Sequence, residues 1–162
     1  QAGLYYHYEI QKHPMKEKLS GVYRHRTENR KTPLIRSMDD YVYCPHSRNT
    51  EIRKEDVEKH PNLKILAHGD DCGLLLLMDL SGRQIFVQGH PEYDRMTLNN
   101  EFHRDVNKGL NPKLPVNYYD NDNPFEKPVL SWRNFSNTLY ANWLNFYVYQ
   151  NTPYELKEME AL

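Results

Sequence analysis

Long apolar runs, phosphate-cradling glycine loops and paired cysteines are all missing from this chain of 162 residues. The densest apolar run, Leu74 to Met78, has the length of one strand, far short of the roughly 20 residues a membrane-spanning helix needs. No signal-peptide pattern opens the chain, and neither GxGxxG nor GxxxxGK followed by Ser or Thr occurs. Two cysteines, Cys44 and Cys72, make no disulfide framework. A net charge of −1 and a pI of about 6.8 leave nothing to attract nucleic acid or an anionic membrane. These absences set the expectation of one cytoplasmic domain spanning 1–162, in a reducing compartment, with no nucleic-acid or membrane partner.

Apolar residues are themselves scarce. They make up 38% of the chain, or about 42% with glycine counted, where globular domains run at about 45–50%. Aromatics reach 12%, most of them among thirteen tyrosines, and mean hydropathy is −0.91. The chain starts at Gln1, directly inside a helix-like segment that runs to Tyr8. Either a terminus has been processed, or a more apolar part rich in parallel strands lies upstream.

What is present centres on Arg83 to Asp105. The run Gln84 to Gln88 reads as a buried strand, stopped by Gly89. His90-Pro91-Glu92 follows, then a helix with Leu98, Phe102 and Val106 at i, i+4 and i+8, ending at Gly109. The edge just beyond the carboxyl end of a strand is where ligands collect in open α/β sheets. An imidazole moves protons near neutral pH, and a carboxylate two residues on can fix its tautomer. A turn that happens to hold a histidine is the alternative.

Around this centre the pattern predicts strands at 19–26, at 41–44 (closed by Pro45), and at 63–67, 74–78 and 83–88. The last two are joined as an antiparallel hairpin through Ser81-Gly82. Residues 32–40 read as linker, 51–60 as a charged helix, and 131–150 as the longest helix. Its stripe of Trp132, Phe135, Leu139, Trp143 and Phe146 suits the core or a subunit interface, which allows a homodimer.

Eight histidines invite a test for metal. Cys44 with His46, Cys72 with His68, and His90 with His103 all lack zinc-ligand spacing, so no metal site is expected. Glu101 and Arg104 share a helix face, either as a surface ion pair or as a guanidinium fork for a substrate carboxylate. Neither cysteine sits in the strand–turn–helix elbow that exposes a nucleophile. A nucleophile is missing.

GHPEYD, followed by TL, EF and RD, resembles the homoserine O-acyltransferase family, whose members use succinyl or acetyl donors. QAGLYYHY at 1–8, KEKLSGV at 16–22, PHSR at 45–48, SWR at 131–133 and NWLNFYVYQNTPYEL at 142–156 agree in order. His-Pro-Glu after a strand also resembles class I glutamine amidotransferases, but KEKLSGV and PHSR favour the transferase. The resemblance implies an α/β, flavodoxin-like, amidotransferase-like three-layer sandwich, present here as its C-terminal part. It implies acyl transfer from acetyl- or succinyl-coenzyme A to L-homoserine through an acyl-cysteine, in methionine biosynthesis, with acyl-CoA as co-substrate and no resident cofactor. His90 would be the base and Glu92 its orienting partner. Arg104 would hold the substrate carboxylate, with Lys18, Ser47 and Glu101 also binding substrate. The family's Cys-x-x-x-Gln-Ala pattern aligns its last two residues with Gln1-Ala2, which places the nucleophile upstream and predicts an inactive fragment. A glutamine-hydrolysing or peptidase-like relative and a non-catalytic packing module are the competing readings. Glu9 stands where the family usually has glycine, so the end of the first helix is expected to differ.

Overall fold

The computed structural model describes residues 1–152. The last residues of the 142–156 block therefore lie outside the described part. Helix α1 (Ala2–Tyr8) leads into β1 (His13–Thr27), β2 (Tyr41–Glu51) and the short α2 (Lys54–Glu58). Then come β3 (Leu63–Gly69), β4 (Gly73–Asp79), β5 (Ile85–Val87), α3 (Thr97–Asn107) and α4 (Arg133–Trp143), which runs on as a π-helical turn to Val148. The five strands form one antiparallel sheet in the order β2-β1-β3-β4-β5. The α/β class expected from the sequence holds. No helix among the described residues is long and apolar enough to cross a membrane.

Layering follows from β4, whose Leu-Leu-Leu-Leu-Met run is buried along its whole length. Leu75 and Leu76 join one cluster with Phe135 and Leu139 of α4. Leu74 and Leu77 join another with Leu4 of α1 and Val57 of α2. A strand covered on both faces has no need of alternation. The sheet is also split along its length: β1 meets β3 only at Arg26↔His68 and Thr27↔Ala67, whereas β1 and β2 pair along most of their length. The β1–β2 ribbon thus diverges from the other three strands beyond that junction.

Several expectations change. Pro45 does not end its strand, since β2 continues through it to Glu51. Its carbonyl accepts a hydrogen bond from the His90 N–H, so the peptide groups of Pro45 face away from β1 and its missing N–H costs no ladder bond. Pro14 likewise lies inside β1, ahead of a register shift between Pro14 and Leu19. The 32–40 stretch is packed rather than linker: Leu34, Ile35 and Met38 are buried, and Asn142 of α4 donates to the carbonyls of Leu34 and Arg36. On α3 only Leu98 and Asp105 are buried, and Val106 is exposed. On α4, Phe135 and Leu139 reach the core, with Trp132 buried at the helix's N-cap, while Tyr140 and Trp143 stay exposed. Glu9 caps α1 in the left-handed region (φ 57°), the conformation in which glycine carries no Cβ penalty.

Candidate active site

Three backbone contacts set the His90 loop. Gln88 N–H donates to Leu75 O at 2.7 Å, His90 N–H donates to Pro45 O at 2.8 Å, and Tyr93 O accepts the Trp132 indole N–H at 3.0 Å. The loop is therefore fastened to β4, β2 and the start of α4. Gly89 makes the approach possible, because a Cβ there would stand 2.7 Å from Cys44 Sγ and 2.9 Å from Leu75 Cδ1. His90 Nδ1 lies 2.8 Å from Glu92 Oε1, the pairing expected from the sequence. The imidazole stacks flat on Tyr93, with centroids 4.3 Å apart. Among the described residues Nε2 makes no hydrogen bond, and the ring is partly open to solvent.

The other four expected site residues converge on α3. Ser47 Oγ donates to Glu101 Oε2 at 2.5 Å, and the Tyr93 hydroxyl donates to Oε1 of the same carboxylate at 3.0 Å. Lys18 Nζ lies 2.9 Å from Asp105 Oδ2 and 3.9 Å from Glu101. Arg104 does not pair with Glu101. Its Nε and Nη2 both donate to Asp105 Oδ1, at 3.0 and 2.8 Å. Lys18 and Arg104 together hold the Asp105 carboxyl below the usual aspartate range. Burial, and then the Glu101 carboxylate, push the Tyr93 phenol well above its ordinary value. A cleft of about 500 Å³ opens here, lined by Lys18, Phe102, Arg104 and Asp105; it does not include His90.

Tyr93 joins the two groups, stacking on the candidate base and bonding to the candidate binding carboxylate. Tyr93 and Asp105 stand inside the GHPEYD and RD motifs, yet sequence reasoning gave neither a role. Their signal was adjacency: each directly follows a residue already chosen.

Neither cysteine is an available nucleophile. Cys44 is fully buried, and burial holds its thiol well above the ordinary range. Cys72 is 4% exposed, and burial pushes its thiol up to about 12. Sequence spacing paired Cys72 with His68 and Cys44 with His46. The structure instead gathers His25, His46 and Cys72. Burial holds both imidazoles neutral, down to about 4 for His25 and about 2 for His46, where His25 and then Arg48 add to the effect.

Residues 1–154 match the family model described as HTS, homoserine O-succinyltransferase. The chain belongs to this family. It is 59% identical over 155 residues to a homoserine O-acetyltransferase of Agathobacter rectalis, covering 96% of this chain and 50% of that protein. It is 54% identical over 158 residues to one of Lachnospira eligens, covering 98% and 51%. The chain thus spans about half the length of these relatives. Among solved structures, the crystal structure of SMU.1228c superposes with a TM-score of 0.58 at 14% identity, covering 83% of this chain and 55% of that one. At that identity the likeness shows a shared fold.

Proposed function

We propose that this chain supplies the base and the amino-acid-holding groups of a cytoplasmic homoserine O-acyltransferase that feeds methionine biosynthesis. The nucleophilic cysteine is assigned outside these 162 residues. One observation carries the reading: His90 Nδ1 is held by Glu92, so Nε2 is left facing outward to exchange a proton. In the first half-reaction Nε2 takes the thiol proton. The thiolate attacks the thioester carbonyl of acetyl- or succinyl-coenzyme A, and coenzyme A leaves with that proton. In the second, Nε2 takes the homoserine hydroxyl proton while that oxygen attacks the acyl-cysteine. The cysteine leaves and is reprotonated from the imidazolium.

Homoserine carries both an α-carboxylate and an α-ammonium, and the α3 cluster alternates in charge. Arg104 and Lys18 suit the carboxylate, while Glu101 and Asp105 suit the ammonium. Tyr93 and Ser47 hold Glu101 from two sides, which fixes its orientation relative to the base.

Intact mass after incubation with acetyl- or succinyl-coenzyme A tests the placement of the nucleophile. No acyl adduct is expected on Cys44 or Cys72, and a stoichiometric adduct on either overturns it. In a polypeptide joining this chain to the nucleophile-bearing half of a relative, His90→Ala should cost at least about 10²-fold in kcat. Arg104→Ala should act mainly on KM for homoserine. Full turnover with His90→Ala would sink the assignment of the base, and the donor is read from competition between the two thioesters.

A further inference from the structure

The mechanism above leaves the cluster of His25, His46 and Cys72 unused. These residues come from β1, from β2 and from the turn before β4, and they meet where the β1–β2 ribbon diverges from β3. His46 Nε2 lies 3.0 Å from His25 Nε2, and Cys72 Sγ lies 3.1 Å from that same nitrogen. All three side chains are buried, and their donor atoms lie within 4.8 Å of one another.

We propose that His25 Nε2, His46 Nε2 and Cys72 Sγ bind one thiophilic transition-metal ion of the zinc class.

The geometry is close to what such an ion requires. Zinc binds imidazole nitrogen at about 2.0–2.1 Å and thiolate at about 2.3 Å. At tetrahedral angles, those lengths put ligand nitrogens about 3.3 Å apart and nitrogen from sulfur about 3.6 Å. The two separations that involve His25 Nε2 stand within about half an ångström of those values, a distance that side-chain rotation covers, and the third pair, His46 with Cys72, lies within 4.8 Å. Two imidazoles with one thiolate form a donor set of borderline softness, which suits zinc and its neighbours and not magnesium or calcium. Without a cation, His25 Nε2 is approached by both the second ring and the thiol, and its single proton or lone pair can serve only one of them well. Both Nδ1 atoms are buried without a hydrogen-bond partner among the described residues. The pairing of β1 with β2 and β3 brings the three side chains to one point.

The turn is shaped for it. Gly69 pairs with Gly73 across the β3–β4 hairpin, and a Cβ on Gly69 would meet Cys72 Sγ at 2.6 Å and Arg24 O at 2.5 Å. Only glycine at 69 lets the thiol fold inward to His25. Arg48 donates to the Cys72 carbonyl at 2.5 Å and places a positive charge beside the site. A single thiolate then leaves the divalent ion only part-neutralised, so the fourth position suits hydroxide or another small anion better than a neutral group.

Metal-stripped protein titrated with Co²⁺ gives the test. One Co²⁺ per chain is expected, with thiolate-to-cobalt charge transfer in the near ultraviolet, tetrahedral ligand-field bands in the visible, and displacement by Zn²⁺. Cys72→Ser should abolish the charge-transfer band and weaken binding by more than about 10-fold, whereas Cys44→Ser should leave both unchanged. If Cys72→Ser does not fold, zinc X-ray absorption on the parent decides, and one sulfur with two imidazoles in the shell is expected. No stoichiometric uptake, a cobalt spectrum without the thiolate band, or a zinc shell without sulfur overturns the site. These readouts are independent of acyl transfer.

Discussion

Gly89→Ala puts the anchoring of His90 to a quantitative test. An alanine Cβ would stand 2.7 Å from Cys44 Sγ, 2.9 Å from Leu75 Cδ1 and 3.0 Å from Pro45 O. Apolar contacts are comfortable at about 3.5–4.0 Å, so the neighbours must give by close to an ångström. Pro45 O cannot retreat freely, because it holds the His90 N–H at 2.8 Å. Overpacking of this kind costs about 1–3 kcal/mol. Cys44→Ala removes the nearest obstacle and by itself costs about 1 kcal/mol, for one fully buried atom lost. In the double variant the new methyl occupies part of that space, but Leu75 and Pro45 still oppose it. Rescue is therefore partial, with a coupling of about 0.5–1.5 kcal/mol. Urea unfolding of the parent and three variants, with unchanged m-values, measures it. Additivity within about 0.4 kcal/mol, or a neutral Gly89→Ala, refutes the packing argument. Where turnover can be followed, an ångström of displacement at His90 should lower kcat about 10²-fold.

Glu9→Gly should stabilise the protein by roughly 0.5–1 kcal/mol, because relief of left-handed strain outweighs the extra freedom glycine gives the unfolded chain; thermal melts give the sign, and a lower midpoint contradicts it. Asp105 has its folded-state pKa depressed, first by Lys18 and then by Arg104, so its contribution is complete above the unfolded aspartate range and is lost as pH falls through the folded value. Asp105→Asn should therefore lower the melting temperature at neutral pH and converge with the parent in acid; a gap that persists in acid argues against the ion pairs. Glu101→Gln leaves one oxygen to serve both Ser47 and Tyr93, with an expected loss of about 1–2 kcal/mol. Adding Tyr93→Phe should then cost less than it does in the parent, which a double-mutant cycle reads directly.

The elements that sequence made visible are those whose signals are local. The β4–β5 hairpin follows from two apolar runs around Ser81-Gly82, α1 from its first eight residues, and the His90–Glu92 pair from spacing alone. Pro45 misled because proline's effect on a strand depends on which side lacks a neighbour, and that is a property of the finished sheet. The 32–40 stretch misled because Leu34, Ile35 and Met38 follow neither a helical nor a strand period; they pack through a single 3-10 turn under α4. The His25–His46–Cys72 cluster lay beyond spacing rules altogether, since its members come from three segments that only the pairing of β1 with β2 and β3 brings together.

Curvature of the sheet explains why the candidate site exists. In strand order β2 and β5 are opposite edges of the five-stranded sheet. Yet the residues leaving β5 bond to β4 at Leu75 and to β2 at Pro45 within three positions of one another. A flat sheet would hold those edges apart by about four strand spacings of about 4.8 Å. The narrow β1–β3 junction lets the β1–β2 ribbon swing over until its outer edge meets the His90 loop. Once there, Ser47 on β2 reaches Glu101 on α3, Lys18 on β1 reaches Asp105, and Tyr93 spans from Glu101 to His90. Residues 18, 47, 90 and 101 need no proximity in sequence, because the closing edges assemble them. It follows that mutations loosening the junction at Arg26↔His68 should disturb the α3 cluster without touching any of its members.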